Sequence, residues 1–541
     1  MPDPASSGKE NKLNTKAAGV VGLAVMCSRV LGLIREQIFA WLFGGGKEMD
    51  AFTVAFRTPN MLRDLFAEGA LSTAFITTFS KKIVHEGEDS AWRLASKVAT
   101  LVIVALSIIV LIGIAIAPWL VKIMAPGFAS VPGKAELTVQ LARIMYPFIL
   151  MVSLGALTMG MLNAKNVFGV PAMASSFFNI GSIFGGVAVG WWIDPHFGTR
   201  ALVGLACGTL IGGALQLGVQ LPALRRVGFH FRPDFAWRDE GVRTILRQMG
   251  PAVIAASSVQ LNVFINTWFA SWLEDGTAYR LNIAFRLMQL PLGIFGVALG
   301  TVTLPALSRA AAQGRSEDFR SLLAKGLRIA LLLTVPATIG LLLLGRPIVS
   351  LLYEHGKFSG HATDQAAIAL GGYAIGLCAY SCLKILSPAF YAIDRRKTPM
   401  FVSFGAVFLN VGLNYLFAFK LQWGIRGLAL ATGLVATANF LVLYFLMHRA
   451  TGRLETRQMA GTLAKIAVAG AALGAVCLAA QHWLLADWEK FGLALRIVAL
   501  LGTIAVAGLA FFGTAFALRI QELDDLAALV RRKLKRRAGP A

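Results

Sequence analysis

Charged side chains lie inside two stretches of this sequence that are otherwise apolar. The stretches span residues 17–43 and 50–80, and each is long enough to cross a bilayer, which takes about 20 residues. They contain eight charged residues: Arg29, Arg35, Glu36, Asp50, Arg57, Arg63, Asp64 and Glu68. A charge at the centre of a lipid-facing helix costs about 2.5–3.5 kcal/mol, so eight would cost on the order of 20 kcal/mol. These side chains must therefore face one another, a water-filled cavity or an end of the membrane.

The spacing of the charges in the second stretch places several of them on one helical face. Asp50, Arg57 and Asp64 recur every seven residues. Glu68 follows Asp64 by four residues, and Asn60 precedes it by four. Residues separated by four or seven positions share a face of an α-helix. The pattern therefore predicts a polar helix face that lines a cavity for a charged passenger.

Basic groups also occur in later apolar stretches. Arg280 and Arg286 lie in the eighth stretch, and Lys384 lies in the tenth. Guanidinium groups bind phosphate through a bidentate fork and stay charged when they are desolvated. Because basic groups exceed acidic ones inside the stretches, the passenger is predicted to be anionic and phosphorylated. The alternative is that pairs such as Arg57–Asp64 only neutralise each other, which accounts for single pairs but not for the basic excess.

The composition is that of a membrane protein. Of the 541 residues, 56% are hydrophobic and 15% are charged, and the mean hydropathy is +0.66. Soluble domains are about 45–50% apolar and about 25% charged. Since long apolar runs recur from end to end, we expect an all-α polytopic fold. The net charge of +23 is interpreted through the positive-inside rule, and no nucleic-acid partner is expected.

Hydropathy predicts fourteen transmembrane helices. They cover residues 17–43, 50–80, 94–120, 137–163, 171–193, 201–224, 245–273, 280–308, 320–344, 367–393, 399–420, 427–448, 461–484 and 494–518. Lys and Arg concentrate in one set of alternate loops and in the C-terminal tail. The positive-inside rule assigns that set to the cytoplasm, so we expect both termini to be cytoplasmic.

The chain contains a weak internal repeat. FNIG (178–181) matches LNVG (409–412), and GTRAL (198–202) matches GIRGL (424–428). Both offsets correspond to about six predicted helices, which indicates two parallel pseudo-symmetric halves. The predicted domains are an N-lobe of spans 1–6 (1–226), a C-lobe of spans 7–12 (227–450), two added helices (451–518) and a basic cytoplasmic tail (519–541).

No pattern for catalysis, nucleotide binding or metal binding stands out in the sequence. The five cysteines all lie in apolar segments, and neither HExxH nor GxxxxGK[ST] occurs. We therefore expect a transporter rather than an enzyme, without a cofactor or metal site. The work must come from an ion gradient, of sodium or protons, from the membrane potential or from substrate gradients.

Several segments together resemble the MurJ (MviN) family of lipid II flippases, in the multidrug/oligosaccharidyl-lipid/polysaccharide exporter superfamily. The similarity runs nearly from end to end. Its most specific parts are SRVLGLIRE (28–36), DAFTVAFRTPNMLRDLFAEGALSTAF (50–75), APGF (125–128), QMGPA (248–252), RLMQLPLGIFGVALGT (286–301) and GKF (356–358).

The resemblance implies two six-helix lobes around a cationic cavity, with helices 13 and 14 forming a groove for a polyprenyl tail. It implies alternating access that carries lipid II from the inner to the outer leaflet of the bacterial cytoplasmic membrane, for cell wall synthesis. Membrane lipids and cell-wall synthesis proteins are the other expected partners. The substrate-binding residues implied are Ser28, Arg29, Arg35, Asn60, Arg63 and Arg286, and those for gating or charge pairing are Asp50, Arg57, Asp64, Glu68 and Lys384.

The chain departs from some members of that family at positions that bear on coupling. Phe285 and Gln289 stand where some relatives carry acids beside the arginine of the eighth span. Asn266, Asn410 and Asn414 are what spans 7 and 11 offer where some relatives bind sodium through acids. Sodium coupling is therefore open, and coupling to the membrane potential is an equal alternative.

Three other functions fit parts of the pattern. A drug or polysaccharide-lipid exporter of the same superfamily would share the fold, but a cavity richer in arginine than in acid disfavours cationic drugs. A membrane enzyme acting on a polyprenyl phosphate would need a base or metal constellation. A non-transporting scaffold of the cell-wall machinery would tolerate neutral residues in the cavity.

Overall fold

The computed structural model describes residues 4–65, 71–452 and 454–523, and within these ranges it contains α-helices and no strand. Long apolar runs become helices because a helix satisfies every backbone hydrogen bond internally, which a bilayer requires. The helices of the first half are α1 (Pro4–Phe43), α2 (Lys47–Arg63), α3 (Ser72–Glu86), α4 (Glu88–Met124), α5 (Lys134–Met145), α6 (Phe148–Ala164), α7 (Gly169–Ile193), α8 (Leu202–Gly218), α9 (Leu221–Arg226) and α10 (Glu240–Ala270). Those that follow are α11 (Thr277–Pro291), α12 (Val297–Ala312), α13 (Ser316–Tyr353), α14 (Gly360–Ala392), α15 (Lys397–Asn414), α16 (Gly424–Thr451), α17 (Thr456–Trp483) and α18 (Leu493–Ala517).

The all-α, multi-span fold is confirmed, but the count of fourteen spans is not. Within the described ranges, ten helical segments are long and apolar enough to cross a membrane. An eleventh is a helix pair, Glu240–Pro251 and Ala256–Ala270, bent by 51°. The break follows Pro251, which cannot donate a backbone hydrogen bond to the preceding turn. The predicted first, second and eighth spans, which fall on α1, on α2–α3 and on α11–α12, are not among these segments, and all three carry charges.

The described chain forms two compact units. The first contains residues up to Ala278 together with Gly356–Phe358, and the second contains Tyr279–His355 and the residues from Ser359 onward. The predicted lobes, 1–226 and 227–450, were defined by the sequence repeat and stay a prediction.

Close helix contacts in the first unit depend on glycine. A Cβ atom on Gly204 of α8 would lie 2.2 Å from the backbone nitrogen of Gly190 on α7. A Cβ atom on Gly208 would lie 2.5 Å from the Cα atom of Gly186. Only hydrogen fits at these positions, so the GxxxG-type patterns in this region act in packing, as helix association in membranes favours.

The GKF segment packs into the first unit. The backbone N–H of Lys357 donates to the carbonyl of Trp41 at 3.0 Å. Its Nζ atom donates to the carbonyls of His196 and Phe197 at 3.1 and 2.8 Å, just beyond the C-terminal end of α7. A cation at the carboxyl end of a helix is favoured by the helix dipole. The motif therefore has a clear structural role in holding these turns together.

A buried ionic cluster organises the second unit. Arg328 of α13 donates to Glu455, before α17, at 2.9 Å and to Glu522, after α18. The side chains of Arg328 and Glu522 are only 6% and 4% exposed. Around this cluster α17 and α18 pack their apolar faces against α13. The cluster was not predicted, and the part of the predicted basic cytoplasmic tail beyond residue 523 lies outside the described residues.

Candidate functional site

Helix α1 carries the first three predicted substrate-binding residues. The carbonyl of Ser28 accepts a hydrogen bond from Nδ2 of Asn179 on α7 at 3.1 Å. Arg29 is exposed, whereas Arg35 is 8% exposed. Since Arg29 and Arg35 are six residues apart, they point to different sides of the helix. The structure thus places one arginine at a surface and the other in the packed interior of the first unit.

Arg35 has two neighbours that compensate its charge. Its Nη2 atom donates to Oε1 of Glu36 at 3.1 Å. Its guanidinium carbon lies 5.2 Å from the centre of the Phe178 ring, within the range of a cation–π contact. The simple ion pair that the sequence left open as an alternative is therefore present for this arginine.

Asp64, immediately after α2, gathers hydrogen-bond donors from two helices. Arg63 donates through Nε and Nη2 to Oδ1 at 3.2 and 2.9 Å. Asn60 and Gln260 of α10 donate through their amides to Oδ2 at 3.4 and 3.2 Å. The structure therefore joins three predicted residues around one carboxylate and adds Gln260, which the sequence did not indicate.

Arg57 lies about two turns before Asp64, nearer the start of α2. Its Nη1 atom donates to Oγ1 of Thr267 on α10 at 2.5 Å. Together with the Gln260–Asp64 contact, this hydrogen bond ties the charged face of α2 to α10. Which helix would supply these partners was not indicated by the sequence, and the prediction that this face lines a cavity for a charged passenger stays a prediction.

Asp50, at the other end of α2, is the most deeply buried of the predicted acidic residues that the structure describes, at 1% exposure. Its Oδ2 atom accepts from Nζ of Lys134 at 2.9 Å and from the backbone N–H of Gly276 at 2.8 Å. Lys134 also contacts Oδ1 of Asp275 at 2.6 Å. Sequence reasoning missed Lys134, which was assigned to a loop. The available signal was its position directly after the APGF turn and at the start of an apolar helix.

Two predicted residues belong to the second unit, and one lies outside the described residues. Arg286 on α11 is partly buried, and its Nε atom donates to Oδ1 of Asn282 one turn earlier at 2.9 Å. Lys384 on α14 is exposed. The ring of Phe285 makes an edge-to-face contact with the ring of Tyr373 on α14, with ring centres 5.3 Å apart. Phe285 therefore contributes to packing at the position where some relatives carry an acid. Glu68 falls in the segment 66–70 that the structure does not describe.

The electrostatics at the start of α10 are set by an N-terminal cap. The Asp239 carboxylate accepts from the N–H of Gly241 at 2.9 Å and from Nζ of Lys97 at 2.8 Å. Burial alone would raise the pKa of Asp239, but the hydrogen bond and charge of Lys97, together with the Gly241 N–H, outweigh it and lower the pKa. The ion pair therefore holds the first turn of α10 against α4.

The chemistry that this set of residues offers is recognition of an anionic group. Four arginines are each held by a polar neighbour that phosphate oxygens can replace, namely Arg35, Arg57, Arg63 and Arg286. Over the described part of the chain, no group of three or more His, Cys, Asp or Glu side chains is arranged to hold a metal ion.

Comparison with known proteins gives a consistent family. The sequence model of the family described as "Lipid II flippase MurJ" matches residues 39–499. The chain is 38% identical over 423 residues to the lipid II flippase MurJ of Burkholderia cenocepacia, which covers 77% of this chain and 81% of the relative. It is 33% identical over 522 residues to a probable lipid II flippase MurJ of Vibrio cholerae, covering 95% and 97%.

Solved structures support the fold. A lipid II flippase MurJ in an inward closed conformation is similar with a TM-score of 0.73 at 24% identity, covering 92% of this chain and 99% of that one. An inward-facing multidrug resistance transporter of the MATE family is similar with a TM-score of 0.67 at 15% identity, covering 81% and 99%. From the extent of the sequence match, this chain belongs to the MurJ family of lipid II flippases.

Proposed function

We propose that this protein is a lipid II flippase that moves the lipid-linked peptidoglycan precursor from the inner to the outer leaflet of the bacterial cytoplasmic membrane by alternating access. Two observations together support the proposal. Relatives that match this chain over nearly its full length bear this name, and helices α1, α2 and α11 of this chain carry arginines. The substrate is carried without a covalent change, for use in cell wall synthesis. Both termini are proposed to lie in the cytoplasm.

The diphosphate of the substrate is the group these arginines would recognise. We propose that Arg29, Arg35, Arg63 and Arg286 contact it. Arg63 donates two hydrogen bonds to one carboxylate oxygen of Asp64, and a phosphate oxygen can take the place of that acceptor. When the lipid leaves, Arg63 binds Asp64 again, so the positive charge of its guanidinium has an anionic partner in both states.

The membrane potential is proposed as the driving force. The diphosphate is anionic, and each charge that crosses a potential of 100 mV contributes about 2.3 kcal/mol. Asn410 and Asn414 are both buried on α15, and Nδ2 of Asn414 donates to Oδ1 of Asn410 at 3.0 Å. Because these side chains are amides, they carry no charge that would have to be neutralised by a sodium ion or proton. Collapsing the potential in vesicles with a potassium ionophore should then slow transport more than collapsing a sodium gradient does.

The proposed function is tested by substituting single arginines in cells that depend on this protein. Arg29→Ala and Arg286→Ala should abolish growth while the protein still reaches the membrane, because each removes a phosphate contact. Arg225→Ala provides a matched control, since Arg225 is exposed at the end of α9. The measurement is growth together with the amount of lipid-linked precursor in each leaflet.

Growth of cells that contain only the Arg29→Ala or Arg286→Ala protein, with normal precursor in the outer leaflet, would count against the proposal. Conversion of the precursor to another lipid by the purified protein would indicate an enzyme instead.

A further inference from the structure

Three charged side chains form a compact cluster in the first unit, which we call the clasp: Asp50, Lys134 and Asp275. Lys134 and Asp50 are 2% and 1% exposed, and Asp275 is 39% exposed. The Lys134 Nζ atom lies 2.9 Å from Asp50 and 2.6 Å from Asp275. One lysine therefore holds two carboxylates that would otherwise repel each other.

The backbone around the clasp is packed tightly. Gly276, with a φ of 91°, directs its N–H to Asp50 at 2.8 Å. Gly127 has no room for a side chain, because a Cβ atom at this position would lie 2.1 Å from the carbonyl oxygen of Ser271. Its N–H donates to Oγ of Ser271 at 3.2 Å. The ring of Phe128 lies 3.9 Å below Nζ of Lys134. The turn after α4 and the turn after α10 thus fit together around the lysine.

The members of the clasp come from both halves of the sequence repeat. Asp50 and Lys134 lie in the predicted N-lobe, and Asp275 lies just after the first helix of the predicted C-lobe. Further along the same helices, α2 and α10 are joined by Arg57–Thr267 at 2.5 Å. Separating the end of α10 from α2 and α5 would therefore require the clasp to open. The loop charges place this end of the helices at the outer surface.

An ionic cluster is suited to reversible opening. Removing one partner from a buried ion pair is costly, because the other charge stays behind without compensation. If the whole cluster opens to water, hydration stabilises every charge. The free-energy cost of opening is then far smaller than the cost of removing one partner from the closed cluster. The clasp can therefore be stable when it is closed and dry, and stable again when it is open and wet, as a two-state gate requires.

We propose that Lys134 is the positioning residue of an outer gate, and that the clasp closes this gate while the cavity faces the cytoplasm and opens to release the headgroup. This inference rests on the proposed function for its role in transport. The opening of the clasp itself can be measured without any substrate.

The test uses the full-length protein in lipid nanodiscs with Ser271→Cys as a reporter, because Ser271 is 5% exposed beside the clasp. The rate of labelling by a membrane-impermeant maleimide is measured, with the five native cysteines alone as the blank. Lys134→Met should raise this rate at least about tenfold, because the two carboxylates lose their shared cation. Lys122→Met is the matched control, since it removes an exposed lysine near the end of α4, and it should leave the rate unchanged.

A neutral clasp distinguishes ionic closure from simple packing. The triple variant Asp50→Asn, Lys134→Met and Asp275→Asn should label within about twofold of the parent, because a fully neutral replacement leaves no uncompensated charge. If it labels as fast as Lys134→Met alone, the lysine acts by packing and the proposal is wrong. Should Lys134→Met fail to fold, Asp275→Asn is the milder probe, and the proposal requires about a threefold rise in its labelling rate.

Transport separates the two proposals. Labelling of Lys134→Met equal to that of Lys122→Met overturns the clasp, whatever the protein transports. If the variants label as expected but the parent protein leaves the precursor in the inner leaflet, the proposed function is wrong and the clasp proposal stands. With both proposals correct, Lys134→Met loses transport and the triple variant recovers it in part.

Discussion

At the scale of single residues, the charges of this protein are compensated by neighbours that the linear sequence does not reveal. Asp50 meets Lys134, which is 84 positions away, and Asp64 meets Gln260, which is 196 positions away. Of the charges predicted in the first two spans, Arg29, Arg35, Glu36, Asp50, Arg57 and Arg63 lie on α1 and α2, because an apolar run interrupted by arginine and aspartate has few other interpretations. The sequence could not identify the partners that come from other helices, since the rotation and the axial position of one helix against another are set by packing along its whole length.

The Lys97–Asp239 pair gives a prediction about pH. Because the folded-state pKa of Asp239 is lowered, its contribution to stability is complete above the unfolded value of about 3.9 and is lost as the pH falls through the lower folded value. Asp239→Asn keeps a side chain that can cap α10, so it removes mainly the ionic part. We expect it to lower the unfolding temperature at pH 7 by an amount corresponding to about 1 kcal/mol. Thermal unfolding in detergent should show that the difference in unfolding temperature between the parent and Asp239→Asn shrinks at pH values below about 3.9. A difference that stays constant down to the acid limit would contradict this explanation.

At the scale of helices, small residues decide how closely the elements approach. The glycine patterns in α7 and α8 were predictable as packing sites, because GxxxG in an apolar helix usually marks a close contact. The sequence did not show which glycines meet. In the structure, Gly208 faces Gly186 and Gly204 faces Gly190, so the crossing point of α7 and α8 is defined by four residues. The charged helices were harder to predict as spans, because the charges that mark them as functional also lower their hydropathy.

This crossing yields a prediction with an internal control. Gly208→Ala places a Cβ atom 2.5 Å from the backbone of Gly186, so α7 and α8 must separate. We expect a loss of about 1–3 kcal/mol, as for other substitutions that overpack a core. Gly218→Ala, at the end of the same helix, meets nothing within 4 Å and should be neutral or slightly stabilising. The yield of folded protein and its unfolding temperature are the measurements. Equal stability of the two variants would show that the contact can relax.

At the scale of the whole molecule, the apolar sequence says little about how the last two helices are attached. The sequence repeat does not cover α17 and α18, so their separation from the repeated helices stays a prediction. Their attachment depends on Arg328, which lies inside a long apolar helix and meets Glu455 and Glu522. A lipid tail is about as apolar as the face that these helices cover, so lipid can replace the helices over most of that face. It cannot replace the two carboxylates.

The consequence is that one substitution should have opposite effects in two backgrounds. In the full chain, Arg328→Leu leaves Glu455 and Glu522 close together without their cation, and should destabilise the protein by about 3–5 kcal/mol. In a chain that ends at Thr451, both glutamates are gone and Arg328 is the group left without compensation. There Arg328→Leu should increase stability, because leucine is favourable in lipid and arginine costs about 2.5–3.5 kcal/mol at the membrane centre and less near its edge. Unfolding temperatures of the four proteins provide the measurement. If the substitution destabilises both backgrounds, Arg328 must serve the packing of α13 itself rather than the attachment of α17 and α18.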